Sequence, residues 1–317
     1  MSKLLLSGRG NEMIETYTQI KNLYKKRQVF RCVHDAHRHF KSELSPFYVL
    51  AEKNCYPDGC VYFQWQCRLL AKQKTCFRGF SYVGKKCFNC RHFFEEKQHQ
   101  YPEFKTNGES VNAFLDAFED FEEWVDDLKT RHVPCEGRVA GVVPELYLKP
   151  NGPRDQLNMN GFLVRFDQGY LDNHLFEDAF YLSLSAMSQN QLQLREGDSV
   201  EFEARLNIDR GRFKFSASRK FQFFERGPGK ALRTSDIQVA LKTYTLQNKQ
   251  PDKCLSCNHG ILVDKGGSAA GPSRKVVCLE GVNDYRDCTI SFMRPDGNNQ
   301  DTCVNTQWGE NRCHHVL

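Results

Sequence analysis

Apolar positions recur along this chain with two different periods, and the change of period divides it. Between 111 and 128 the residues Val111, Phe114, Leu115, Phe118, Phe121, Val125 and Leu128 return every three or four positions, while Glu119, Asp120, Glu122, Glu123, Asp126 and Asp127 fill positions between them. That pattern predicts an amphipathic helix with one apolar stripe and an acidic, solvated face. Ser110 stands where an N-cap is needed, because its hydroxyl oxygen can accept from the unpaired N–H groups of the first turn. After Pro134 the period falls to two. Val200, Phe202, Ala204 and Leu206 alternate with Glu201, Glu203 and Arg205, and Phe213, Phe215, Ala217 and Phe221 fall among Arg212, Lys214, Ser216, Ser218 and Lys220. Both stretches predict half-buried strands, joined by a hairpin connection over 207–211 that ends in Gly211. Earlier strands are expected at 136–143, 161–166 and 179–186, with a polar stretch at 187–195 suited to a short helix. Near the start, Met13, Tyr17, Ile20, Leu23 and Tyr24 again recur at three and four, which predicts helix over about 11–40 before Pro46 ends the region. His34, His37 and His39 read there as part of a solvated basic face, not as ligands.

A length of 317 residues favours two or three domains at roughly 100 to 200 residues each. No apolar run approaches the ~18 residues of a spanning helix, and Leu4, Leu5 and Leu6 are followed by no small-residue cleavage site. A cytoplasmic protein with no membrane partner is therefore expected. The charge is unevenly laid out: net +5 overall, but +10 over 1–107, −6 over 108–134 and −1 over 135–226. A basic first third is the electrostatic footprint of a phosphate binder, although an acidic protein surface would select the same charge.

Cysteine changes the picture most. Of the 14 cysteines, six (Cys55, Cys60, Cys67, Cys76, Cys87, Cys90) fall in one stretch and six (Cys254, Cys257, Cys278, Cys288, Cys303, Cys313) near the C-terminus. In a reducing compartment such clusters point to metal ligands before disulfides. The first set is spaced C-x4-C-x6-C-x8-C-x10-C-x2-C, and Cys67, Cys76, Cys87 and Cys90 would satisfy tetrahedral zinc. The same four would equally suit a cubane iron–sulfur cluster, and the spacing leaves the two open. In the second set Cys254 and Cys257 form a zinc-ribbon-like knuckle, completed by Cys278 and Cys288 as C-x2-C-x20-C-x9-C. This departs from a ribbon, which would place another C-x2-C there, so Cys303, Cys313, His314 and His315 either replace one ligand or build another site. Around the first set, Arg68, Lys72, Lys74, Arg78, Lys85, Lys86 and Arg91 sit among Phe77, Phe80, Tyr82, Phe88 and Phe93. Cations that track phosphates and rings that stack on bases are what single-stranded DNA or RNA requires of a protein.

Five strands with an extra element between the third and fourth, closed in about 90 residues, resemble the OB-fold barrel. The run from Leu194 to Phe202 is similar to the turn that leads into the fourth strand of many such domains. The resemblance covers about 135–226 and lies at the level of the fold. It implies a ligand face on the outer side of the second and third strands, between the loops joining strands one to two and four to five. Alternation would then turn Phe162, Val164, Phe166, Phe180, Leu182 and Leu184 inward. Leu163, Arg165, Tyr181 and Ser183 would stand outside, with Arg210, Arg212 and Lys214 from the last hairpin completing a nucleic-acid surface.

The expected architecture is thus α+β and multidomain. A basic helical region with a metal module at about 54–101 fills 1–107, an acidic connector helix 108–134, a five-stranded OB-like β-barrel 135–226, and a small metal-bound, zinc-ribbon-like module 227–317. Phosphate loops of the types G-x4-G-K-[ST] and G-x-G-x-x-G are missing. No cysteine has a local base to activate it, and Glu145 with Lys149 lacks the second carboxylate a nuclease would need. An enzyme is left open, without a catalytic motif to support it. Three functions remain: a single-stranded nucleic-acid binder, an iron–sulfur enzyme or redox-sensing component acting on nucleic acid, and a protein scaffold docking through the acidic helix.

Overall fold

The computed structural model describes residues 18–26, 29–33, 43–105, 110–151, 154–247, 254, 259–265 and 273–288. The fold is mixed α+β and rich in strand. The first six strands are short or isolated: β1 (Gln19–Ile20), β2 (Phe30–Arg31), β3 (Glu43–Leu44), the hairpin of β4 (Cys60–Cys67) and β5 (Phe93–Gln100), and β6 (Glu103–Phe104). The helix expected over 11–40 is not what the described part forms. β1 instead pairs in parallel with Leu175–Phe176, β2 pairs with both β3 and β6, and only a 3-10 turn at Leu23–Lys25 is helical. Asn22 decides this locally. It is buried, its side-chain oxygen accepts from Tyr24 N, and its amide donates to Asp178 Oδ2 at 2.8 Å and Gly211 O at 3.0 Å. These long-range bonds hold the chain in a conformation that the local periodicity does not favour. The parts of that expectation on 11–17 and 34–40 lie outside the described residues.

Helix α1 (Val111–Thr130) forms where its spacing predicts, and Ser110 caps it by accepting from Ala113 N at 3.1 Å. Its stripe of Phe114, Phe118, Phe121, Val125 and Leu128 is buried, each such side chain contributing roughly 1.5–3 kcal/mol. The stripe packs into a single core that also takes in Phe30 and Val49 from the N-terminal region and the inward rings of the sheet that follows. Aromatic contacts knit the three together: Tyr24 meets Phe118 and Phe121, and Trp124 stacks on Phe213 at 5.8 Å.

Downstream come β7 (His132–Asn151), β8 (Arg154–Leu171), β9 (His174–Phe176), β10 (Phe180–Leu184), helix α2 (Ala186–Leu192), β11 (Ser199–Asp209) and β12 (Arg212–Glu225). All five expected strands are present, with α2 in the polar stretch between the third and fourth. β7 pairs with β8, β8 with β10, β10 in parallel with β12, β12 with β11, and β11 with β7, so the pairings form a closed ring. Phe162, Val164, Phe166, Phe180, Leu182 and Leu184 are buried within it, as alternation predicts, and Phe166 stacks on Phe180 at 4.7 Å. At Gly161 the backbone takes φ +142°, and a Cβ there would sit 2.0 Å from Leu184 O, so only glycine lets β8 pass this close. The turn from β11 to β12 uses Arg210 at φ 58° and Gly211 at φ 77°, the left-handed pair that a tight hairpin requires.

β7 is much longer than the expected 136–143. Pro144 does not end it; at that position β7 pairs only with β8 and has no second neighbour strand. Past Pro144 the strand reaches a second neighbour. After the short helices α3 (Thr234–Gln238) and α4 (Ala240–Thr243) come β13 (Thr245–Gln247), β14 (Gly260–Lys265) and β15 (Ser273–Cys278), and β14 runs parallel to β7 at Tyr147 and Leu148. The C-terminal strands therefore extend the large sheet to ten strands. They bury a smaller core of Leu146, Leu148, Leu157, Ile261, Val263 and Val277. Among the described residues no helix is long and apolar enough to cross a membrane.

Candidate functional site

The β4–β5 hairpin carries the first cysteine set. Cys67 ends β4 opposite Phe93, and the loop 68–92 returns to the hairpin through the bond from Arg68 N to His92 O at 2.8 Å. Within the loop, tight turns place the other cysteines: Gly79 N donates to Cys76 O, Cys87 N to Gly84 O, Cys90 N to Cys87 O and Phe93 N to Cys90 O, all at 2.8–2.9 Å. The result is one small pocket lined by Cys67, Cys76, Cys87 and Cys90, with Leu70, Phe80, Val83 and Phe93 as its apolar walls. These are the four residues that the spacing singles out. Cys76 Sγ accepts from Arg78 N at 3.4 Å, and backbone N–H groups of Arg78 and Phe80 hold its thiol below the usual range. An N–H aimed at sulfur favours a thiolate, the form that binds metal. The donor set is all sulfur, which suits soft metals. Among the described residues no group of three or more His, Cys, Asp or Glu side chains takes a metal-binding arrangement.

Cys55 and Cys60, unassigned by spacing, lie apart from this pocket and near Cys32. Burial pushes the Cys55 thiol up to about 11, with Cys60 and Cys32 adding to the rise. All three thiols also act on the Tyr48 phenol, which burial first of all raises to about 12.

The surroundings of the pocket are charged in an unusual way. From 60 to 101 there are eight Lys and Arg against two Glu. Arg68, Lys72, Lys74, Lys85, Lys86 and Arg91 are all exposed, and among the described residues none of them forms an ion pair with a carboxylate. Arg78 donates to Lys86 O at 3.0 Å and lies over the Phe80 ring. Exposed rings accompany these cations: Phe77, Tyr82 and Phe88 in the loop, and Phe63 and Trp65 on the hairpin.

The ring of strands presents the opposite case. Arg165 and Tyr181 point away from its interior, as alternation predicts, but are 2% and 1% exposed, so the expected open surface is not there. Their surroundings account for it. Arg165 pairs with Asp167, Arg212 is buried over the Tyr181 ring and bonded to Asp209, Arg210 reaches Asp209 at 3.7 Å, and Lys214 pairs with Glu145, which also accepts from Ser183 Oγ. Burial raises the Asp209 carboxyl, yet Arg212, Arg210 and Lys214 outweigh that and hold it below the usual carboxylate range. These cations pair with carboxylates of the protein. Period two tells which side of a strand a residue faces; it does not tell what lies over that side.

Of the second cysteine set, Cys254 and Cys278 are brought together around Gly260, which pairs with Cys278 and lies so close to Cys254 O that a Cβ would sit 2.0 Å from it. Cys288 follows a 3-10 turn over Tyr285–Asp287 whose Tyr285 N donates to Gln247 Oε1 on β13. Cys257, Cys303, Cys313, His314 and His315 lie outside the described residues.

What sequence reasoning missed is the hairpin itself. Val61, Phe63 and Trp65 share one exposed face of β4, and Val61, Phe63 and Trp65 pair with His99, Lys97 and Glu95 of β5. Period two over 60–67 was the available signal. The chain matches no family model, no curated protein and no solved structure.

Proposed function

We propose that this protein binds single-stranded nucleic acid through the cysteine-rich module at 54–101. One observation carries the reading: among the described residues, cations without carboxylate partners and exposed aromatic rings are concentrated on the same module, whereas Arg165, Arg210, Arg212, Lys214, Arg219 and Lys220 of the strand ring are paired within the protein. Phosphates would be tracked by Arg68, Lys72, Lys74, Lys85, Lys86 and Arg91, with Arg78 fixed by Phe80 at the pocket rim. Contacts of this kind read little sequence, so specificity would be modest.

Metal has a structural role in this reading. Zinc held by Cys67, Cys76, Cys87 and Cys90 would fix the loops that display the cations, since a loop of this size has little core of its own. A second zinc would be held by Cys254, Cys257, Cys278 and Cys288 at the end of the large sheet. The five strands closed in a ring, with α2 between the third and fourth, support an OB-like barrel. With its outer cations neutralised, that barrel serves as the platform on which the module and α1 are mounted.

The test is binding of the purified, metal-loaded full chain to a fluorescein-labelled oligo(dT) 20-mer across a salt series. Affinity should fall linearly on a log–log plot, with a slope of about −0.7 for each phosphate neutralised. Affinity unchanged between low and physiological salt would reject the reading. Elemental analysis of the same protein should give zinc; iron with acid-labile sulfide would instead place a cluster on the first four thiolates.

A further inference from the structure

Seven of the twelve large hydrophobic side chains exposed on the described surface fall between Val61 and Tyr101. Three of them, Val61, Phe63 and Trp65, alternate along β4 and so project from one face of the hairpin. Phe63 is 57% and Trp65 39% exposed. Exposed rings grouped on one face mark a contact surface, and their surroundings select what covers it. Directly paired residues of antiparallel strands share a face, so Lys97 stands beside Phe63, His99 beside Val61 and Glu95 beside Trp65. The loop cations lie at the Cys67 end of the same hairpin.

We infer that this β4 face is a stacking platform for the bases of a single strand, with Phe63 and Trp65 as the stacking rings and Lys97, beside Phe63, as the phosphate contact. The inference rests on the nucleic-acid reading above and gives it a site. Two features favour bases over an apolar protein surface. Cations flank the rings in excess, which suits a polyanion. The rings also stand two residues apart, about 6.6–6.8 Å along the strand, twice the ~3.4 Å rise of stacked bases in a duplex strand. A strand laid across both rings must therefore have its bases unstacked from each other, which single strands allow and duplexes resist.

Phe88 links the platform to the cysteine pocket. It lies in the turn between Cys87 and Cys90 and meets Trp65 edge-on, with ring centroids 4.7 Å apart at 88°, while also packing on Phe93 at 5.4 Å. A metal held by Cys87 and Cys90 would fix Phe88 between them and, through that contact, the Trp65 ring.

The experiment uses the metal-loaded full chain and the same oligo(dT) 20-mer. Phe63→Ala and Trp65→Ala should each weaken binding by about 5- to 160-fold, the loss expected for one stacked base at ~1–3 kcal/mol, with the salt slope unchanged. Trp65→Phe should retain most of the affinity while abolishing the quenching of tryptophan fluorescence that the oligonucleotide produces. Lys85→Ala with Lys86→Ala should instead flatten the salt slope. If the wild type binds with the expected salt dependence but both alanine variants bind as tightly, the platform is wrong and the nucleic-acid reading stands. If the wild type binds without salt dependence, or not at all, both fall. A wild-type dimer by light scattering that becomes a monomer in Phe63→Ala, with oligonucleotide affinity unchanged, would assign the face to a second copy of the chain and overturn the inference. Urea unfolding of each variant separates lost contact from lost fold: Phe63→Ala should leave it unchanged, and Trp65→Ala should lower it only by the loss of the Phe88 contact.

Discussion

Asp198 is 0% exposed and sits at the turn that leads into β11. Its carboxylate is held from both sides of the chain. Oδ2 accepts from Arg195 N at 3.1 Å, three residues earlier, and Oδ1 accepts from Gly227 N at 2.7 Å, just past β12. Arg195 and Arg226 bring guanidinium groups to 3.6 and 3.5 Å. One side chain thus ties the entry of β11 to the exit of β12, its neighbour in the sheet. Asp198→Ala removes two charge-assisted bonds of about 1.5–3 kcal/mol each and strands the Gly227 N–H in a buried setting. The total should be about 3–6 kcal/mol, a large share of the ~5–15 kcal/mol that typically holds a domain. Asp198→Asn keeps one acceptor oxygen and should lose about half as much. Urea denaturation of the full chain measures this, with the midpoint lowered and the slope unchanged. A loss under about 1 kcal/mol for Asp198→Ala, or an equal loss for both variants, would refute the reasoning, the latter by placing the effect in charge and not in bond acceptance.

Arg131 grips Asp172 with two nitrogens, at 3.0 and 2.6 Å, and these bonds hold the Asp172 carboxyl below the usual range. A depressed folded value contributes stability above the unfolded carboxylate pKa of about 3.9 that disappears as pH falls through the folded value. Melting temperatures taken from pH 6 down to pH 2 should therefore fall less steeply in Arg131→Gln than in the wild type, and parallel curves would rule this out. Gly161→Ala would drive a methyl into Leu184 O; soluble yield and melting temperature should drop sharply, and a variant as stable as the wild type would show that β8 can move aside. Burial, with Asp172 as a smaller contributor, pushes the Cys135 thiol well above its ordinary value, so Cys135 should resist iodoacetamide at pH 8 until the protein is unfolded. Mass spectrometry of the peptide reads this directly, and rapid labelling of native protein would contradict the burial.

Elements whose partners are near in sequence were legible. α1 with its Ser110 cap, the Gly211 turn, the five strands and the short helix between the third and fourth all follow from local period and turn chemistry. So does the choice of Cys67, Cys76, Cys87 and Cys90, which line one pocket. What eluded the pattern depends on distant contacts. β1 is two residues long and takes its conformation from Leu175–Phe176, while Asn22 takes its bonds from Asp178 and Gly211. Local periodicity over 11–40 carries no information about either. Arg165 and Tyr181 failed as surface residues for a related reason, since facing outward from a strand is a local property and burial is not. In β4 the alternation of Val61, Phe63 and Trp65 is local and visible, but the partner strand that makes it a hairpin begins only at Phe93.

β7 also bears on where this chain can be cut. Its first half pairs with β11 and its second half with β14, so one continuous strand belongs both to the ring and to the C-terminal sheet. Severing the chain after Arg226 would leave β7 and β8 full length while removing what covers Leu148 and Leu157. The truncated protein would carry an apolar patch beside a bare strand edge, the combination that recruits another copy edge to edge. Strands β13 to β15 are in that sense a sleeve over the far end of the ring, and fragments that omit them are expected to aggregate even when the ring itself is intact.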